Sequence, residues 1–267
     1  MPEGDTIPRA ARTLHRVLAG RRVIAGRAPA LPGGGEGLAG RTVSAVEARG
    51  KNLLVHFQDG AALRTHMRMT GSWHVYRPGE RWRKLGSQAR VVLETDAWVA
   101  VCFSAPVVEL LAPGEAERHE PLASLGPDIL GEEFDFEEAV RRLRSLGETP
   151  LGEALLSQRA VAGIGNIYKS ETLFLARADP FAPVGGVEEK TLARILARAR
   201  ELMRAALGPS PRSTRRTLSR DAAERTWVYR REGRPCRRCG TEIRMRRQGI
   251  DRRSTYFCPK CQGDIKP

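Results

Sequence analysis

The spacing of four cysteines near the C-terminus constrains this chain more than any other feature. Cys236 and Cys239 make one C-x-x-C pair in PCRRCG, and Cys258 and Cys261 make a second in CPKCQ. Each pair can set two thiolates on one metal from a tight turn. The 18 residues between the pairs suit a two-stranded hairpin. Four thiolates complete a tetrahedral Zn²⁺ site, and with no histidine after His119 the ligands should all be cysteines. Two disulfides or a redox pair are the competing readings. The absence of a visible secretory signal weighs against the first, and duplication of the pair weighs against the second. The expectation is one structural zinc per chain, in a small unit of its own.

That unit is strongly basic. From Val228 onward, twelve Lys/Arg face four Asp/Glu, as part of a chain of 267 residues with formal net charge +14. A surplus of this size points to a polyanionic partner, nucleic acid before an anionic membrane. Arginine accounts for 39 of the 45 basic residues. Genome bias explains that choice of cation but not the excess of cations. No run approaches the 18 or so uninterrupted apolar residues of a membrane span. Met1 to Gly20 lacks a continuous apolar stretch, so we expect a cytoplasmic protein with no membrane partner.

Periodicity divides the rest. Ile7, Ala10, Ala11, Leu14, Val17 and Leu18 recur at helical spacing, with Asp5 or Thr6 available as a cap. The following PALPGGGEGLAG reads as flexible punctuation, since it lacks the Gly-Lys-Ser/Thr of a phosphate loop. From Arg41 to about Ala112, short strands TVSAVEA, NLLVHF, AALRTHM, SWHVY, ARVVLET and WVAVCF suggest a β-sandwich or barrel. Cys102 falls inside the last of these as a core residue. Helical patterns then cover 151–159, 166–177 and 188–206, and Asp135 with Glu138 has capping-box spacing. The domains expected are 1–113, a linker 114–131, a helical domain 132–226 and a zinc unit 227–267.

QRAVAGIGNIYKSE places Gly163 and Gly165 in a turn and Asn166 at a natural N-cap. A helix N-terminus offers unpaired N–H groups that suit a phosphate, and Lys169 one turn in adds a cation. An ordinary capped helix hairpin is the alternative. The net charge favours phosphate.

MPEG at the start, GIGN between helices and a terminal four-cysteine hairpin stand in one order. Together they resemble the formamidopyrimidine-DNA glycosylase/endonuclease VIII family of base-excision repair enzymes. The resemblance implies a multidomain α+β fold: an N-terminal helix plus β-sandwich, a helix–two-turn–helix domain and a C-terminal zinc finger. RGKNLL carries Lys51, and RRSTYFC puts Arg253 five residues before Cys258, where the family has its zinc-finger arginine. The Pro-Glu-Gly opening and CFSAPVVELL resemble the endonuclease VIII branch, which implies oxidised pyrimidines as preferred substrates. The chain departs from the pattern in two places. Thr6 stands where the family usually has a second glutamate. Met67, Arg68 and Met69 stand where the branch has Gln-Leu-Tyr, with Met69 still able to wedge into a base stack.

By this resemblance the chain is a bifunctional glycosylase/AP lyase, acting through a Schiff base on Pro2 once Met1 is removed. A model α-amino group titrates at about 7.7–8, and a nearby cation such as Lys51 lowers that. Glu3 is placed to shuttle protons. Lys51, Asn166 and Arg253 would grip phosphates around a flipped nucleotide, and β,δ-elimination would follow. The partner implied is double-stranded DNA with oxidised bases or abasic sites, met by a monomer in a bacterial cytoplasm. A non-catalytic damaged-DNA-binding protein of the same fold, and an RNA- or ribosome-associated zinc ribbon, stay open as alternatives.

Overall fold

The computed structural model describes residues 5–208, 213–215, 221 and 224–263. Pro2 and Glu3 lie outside the described residues. The chain forms two compact units, Met1–Ser124 and Leu125–Pro267.

The first unit opens with α1 (Thr6–Leu18), which buries Ile7, Ala11, Leu14, Val17 and Leu18 as one apolar stripe. No side chain caps it. Instead Val46 N–H donates to His15 Nδ1 at 3.1 Å, tying the helix to the sheet beside it. The strands are β1 (Ala25–Arg27), β2 (Val43–Arg49), β3 (Asn52–Phe57), β4 (Ala62–His66), β5 (Ser72–Tyr76), β6 (Ala89–Glu94), β7 (Val99–Phe103) and β8 (Val107–Leu111). They make two antiparallel sheets, ordered β1-β6-β7-β5 and β2-β3-β4-β8. One core joins α1 to both, through residues such as Leu14, Leu53, Leu63, Leu93 and Cys102.

β7 is apolar throughout because both of its faces are covered. Ala100 and Cys102 point into the main core, while Val99, Val101 and Phe103 lie in a second cluster closed by Trp82. Burial pushes the Cys102 thiol up to about 12, consistent with an inert core residue. The glycine-rich loop is a packed turn, not flexible punctuation. Gly33, Gly34 and Gly35 all take positive φ, and a Cβ on buried Gly35 would run into the Ala28 backbone. Two single-turn helices, α2 (Glu115–Arg118) and α3 (Glu120–Ala123), occupy part of the segment read as a linker.

The second unit holds α4 (Phe136–Arg144), α5 (Leu151–Ala154), α6 (Asn166–Ala176) and α7 (Glu189–Ala205). Asp135 caps α4 by accepting from Glu138 N at 2.9 Å, half of the anticipated box. The helix expected over 151–159 stops at Ala154. Beyond it the Gln158 side chain stitches the turns together: Oε1 accepts from Gly163 N at 3.0 Å, and Nε2 donates to Leu156 O and Ile164 O. Strands β9 (Arg244–Gln248) and β10 (Arg253–Phe257) pair antiparallel between the two cysteine pairs. α6 is buried without a break from Tyr168 to Phe174. Tyr168 and Leu173 face the helical core, while Phe174 packs with Val228, Ile243 and two of the cysteines. A helix enclosed on both sides must bury its polar residues, and here those residues build the site.

Candidate nucleic-acid interface and metal centre

The four cysteine sulfurs lie within 4.8 Å of one another, with Cys236 and Cys261 at 3.9 Å and Cys239 and Cys258 at 3.5 Å. Zn–S bonds of about 2.3 Å in a tetrahedron put sulfurs roughly 3.8 Å apart, so the donor set fits one such ion. A hydrogen bond from Thr241 draws the Cys239 thiol down to about 6, while burial pushes Cys258 up to about 11 and Cys261 up as well. Thiolates crowded this way repel one another unless a cation compensates them.

The metal unit is fastened to α6 by buried polar groups. Gly165 is the N-cap and Asn166 the first helical residue, so the cap falls one residue earlier than the sequence suggested. Asn166 Nδ2 donates to Ser254 O at 2.8 Å and Ser254 Oγ at 3.1 Å, and its Oδ1 is buried with no hydrogen-bond partner. Lys169 also differs from expectation. It is 1% exposed, and its ammonium donates to Thr255 Oγ1 at 2.7 Å and Ser254 O at 3.1 Å. Its cation holds β10 against the helix and is not presented at the surface. Thr255 Oγ1 bonds onward to Gln248 Oε1, and Gln248 Nε2 donates to Pro180 O at 2.9 Å. Arg253, one residue before Ser254, is exposed at the start of β10, with Nη2 3.3 Å from Asp251 Oδ2. The fold thus brings Asn166, Lys169 and the β10 segment behind Arg253 into one assembly.

Sequence reading missed the residue that anchors this assembly. Glu171 is fully buried on α6. Its carboxylate accepts from the backbone N–H of Trp227, Val228 and Tyr229, each at 2.8 Å, and from Thr214 Oγ1. Burial pushes its pKa up, and the four donors oppose that shift. The only local signal is an acidic residue within a helix whose neighbours are all buried.

In the first unit, Gly50 (φ 58°) and Lys51 form the turn joining β2 to β3. Asn52, next in the chain, accepts at Oδ1 from Arg64 Nε at 3.0 Å, and buried Arg64 also pairs with Glu109. His66 stands opposite Asn52 in the β3–β4 register. Burial first, then Arg64, Lys51 and Arg68, lower its pKa to about 4. A neutral imidazole among three cations marks a strongly positive locus, and the sequence reading passed over it. Arg68 N–H donates to His66 Nδ1 at 3.3 Å, which leaves the ring proton on Nε2. The turn beyond is tight: Arg68 has φ 41°, and a Cβ on Gly71 would lie 2.7 Å from Met67 Cα. Met67 is core at 1% exposure, while Met69 is 53% exposed.

Comparison with known proteins agrees with this architecture. The formamidopyrimidine-DNA glycosylase N-terminal domain matches residues 1–106, that family's H2TH domain matches 125–217, and the zinc finger found in FPG and IleRS matches 233–263. The probable endonuclease 8 2 of Streptomyces coelicolor is 42% identical over 270 residues, covering 100% of this chain and 96% of its own. A DNA-(apurinic or apyrimidinic site) lyase Nei2 of Mycolicibacterium smegmatis is 34% identical, covering 98% and 99%. Among solved structures, the MutM (Fpg) protein of Thermus thermophilus superposes with TM-score 0.82 at 29% identity, covering both chains completely. A helix-and-sandwich unit, a helix–two-turn–helix and a four-cysteine hairpin in this order define a class, the DNA-repair glycosylases and lyases of base-excision repair. The chain belongs to the formamidopyrimidine-DNA glycosylase/endonuclease VIII family.

Proposed function

We propose that the chain is a bifunctional glycosylase/AP lyase that removes oxidised bases, pyrimidines by preference, and cuts the strand through a Schiff base on Pro2. The reading is carried by full-length relatedness to proteins named endonuclease 8 and DNA-(apurinic or apyrimidinic site) lyase. With Met1 removed, Pro2 supplies a neutral secondary amine. Its nitrogen attacks C1′ as the bond from C1′ to the base breaks, and the base leaves with a proton; the ring C1′–O4′ bond then opens, O4′ takes a proton, and the iminium forms. Glu3 moves the protons. Loss of a 2′ hydrogen acidified by the iminium drives β-elimination, and δ-elimination follows.

The flipped nucleotide leaves the stack at a cost of a few kcal/mol. Met69 fills the space it vacates, in line with its exposure on a tight turn. Lys51 supplies a phosphate contact and lowers the amine's pKa. Asn166 and Arg253 supply further phosphate contacts. The bonds from Asn166 Nδ2 to Ser254 tie the helix N-terminus to the hairpin and support a shared role for the two. Lys169, being buried, positions β10. Zn²⁺ held by Cys236, Cys239, Cys258 and Cys261 supplies structure and no chemistry.

Borohydride trapping on an oxidised-pyrimidine duplex tests this. A covalent adduct mapping to Pro2 by mass spectrometry is expected. Keeping Met1, or fusing a tag before Pro2, should abolish the adduct while DNA affinity stays close to wild type. Equal trapping by the blocked form rules Pro2 out. Tight lesion binding without any adduct would favour the non-catalytic reading that Thr6 keeps in view.

A further inference from the structure

The loop from Arg77 to Gln88, between β5 and β6, plays no part in the mechanism above. Through Arg90 it carries Arg77, Arg81, Arg83, Lys84 and Arg90 against one acid, Glu80. Glu80 is occupied, since its carboxylate accepts from Arg77 N–H at 2.9 Å. A basic surface loop of this kind is often mobile. Here it is pinned at two places.

The first pin is Trp82, which stacks on Tyr76 (ring centroids 6.3 Å, 27°) and meets Phe103 edge-on at 5.8 Å. The second is a polar ladder. Ser72, His74 and Tyr76 alternate along β5 and so share one face of it. Lys84 Nζ donates to Ser72 Oγ at 2.9 Å, Ser72 Oγ lies 3.0 Å from His74 Nε2, and His74 Nδ1 lies 3.0 Å from the Tyr76 hydroxyl. Arg83 N–H closes the ladder on that hydroxyl at 3.1 Å. With Trp82 and Lys84 turned inward, Arg81 and Arg83 are both exposed. Among the described residues neither guanidinium has an ion-pair partner. A concavity of about 710 Å³ lies along the same loop.

The loop also returns to the end of β5 that adjoins the Met69 turn. Ser72 follows the Met69 turn directly. Thr70 Oγ1 donates to Ser104 O at 3.2 Å, and Ser104 N–H donates to Gln88 O at 2.8 Å, so the turn and the loop share a support.

We propose that Arg81 and Arg83, held out by the Trp82-pinned loop, form an additional phosphate-binding site that grips the DNA backbone flanking the lesion. The proposal rests on the reading of Met69 as the residue that meets DNA. Arginines on a pinned backbone lose less freedom on binding than those on a mobile one, and each phosphate neutralised releases counterions.

The test is R81Q/R83Q, which leaves Trp82 and the Lys84 ladder in place. Affinity for a long lesion-bearing duplex is measured across salt concentrations, and again on duplexes trimmed to one side of the lesion or the other. The salt slope on the long duplex should become shallower by about 1.8, two phosphates at about 0.9 each. The defect should vanish on one trimmed duplex and persist on the other. Trapping yield at saturating protein, and the thermal midpoint, should be unchanged. Trp82→Ala should reproduce the binding defect with both arginines present. An unchanged slope on the long duplex, or equal defects on both trimmed duplexes, overturns the assignment. Wild-type trapping in parallel separates the two readings. Adducts with an unchanged slope sink the loop site alone, and a changed slope without adducts sinks the Schiff base alone.

Discussion

His66 shows how one residue reports on its surroundings. Its native pKa lies near 4, below the ordinary value of 6.5, because burial and three neighbouring cations disfavour the imidazolium. A depressed pKa means that the unfolded chain binds the proton more readily. Stability from this residue is therefore complete above pH 6.5 and is lost as pH falls toward 4. Ring chemical shifts should show His66 neutral and unmoved through pH 6, and a midpoint near 6.5 would contradict the positive locus described. In the second unit, Arg253→Ala should weaken lesion binding by about 1–3 kcal/mol, the scale of a charged hydrogen bond. Its contact with Asp251 is exposed, so the same change should move the unfolding midpoint little. Equal affinity of mutant and wild type would remove Arg253 from the interface.

At the scale of elements, α6 is the part on which the second unit turns. Glu171→Gln removes one acceptor oxygen and points an amide N–H at donors already facing it. We expect a loss of about 1–3 kcal/mol in urea denaturation, the cost of unsatisfied buried groups. No change in stability would mean that the carboxylate is dispensable to the attachment of Trp227–Tyr229. α6 also marks the limit of reading elements from sequence. Its existence was legible from apolar recurrence, and so was the turn before it from Gly163 and Gly165. Its polar residues were not. By sequence Lys169 offers its cation to a phosphate, but position in the first turn of a helix does not say what covers that turn. The glycine-rich loop misled in the same way, since composition gives no hint that Gly35 packs against Ala28.

At the scale of the whole molecule, the two units carry separate cores, and among the described residues the four-cysteine site belongs to the second alone. Metal analysis should return one zinc per chain. Chelation should destroy the order of residues 233–263 and lower DNA affinity, while the β-sheet signal of the first unit survives. Retention of full affinity after complete metal removal would contradict a structural role for the ion. The sequence by itself determined the order of units, the thiol donor set, most strands and helices, and the family. All of these rest on periods of two to four residues or on short fixed spacings, which a chain displays without folding. Only the tertiary structure decided the burial of Lys169, the anchoring by Glu171 and the pinning of the basic loop. The bonds that settle the first two join positions 43 to 86 apart in the chain, and no local pattern couples residues at such separations.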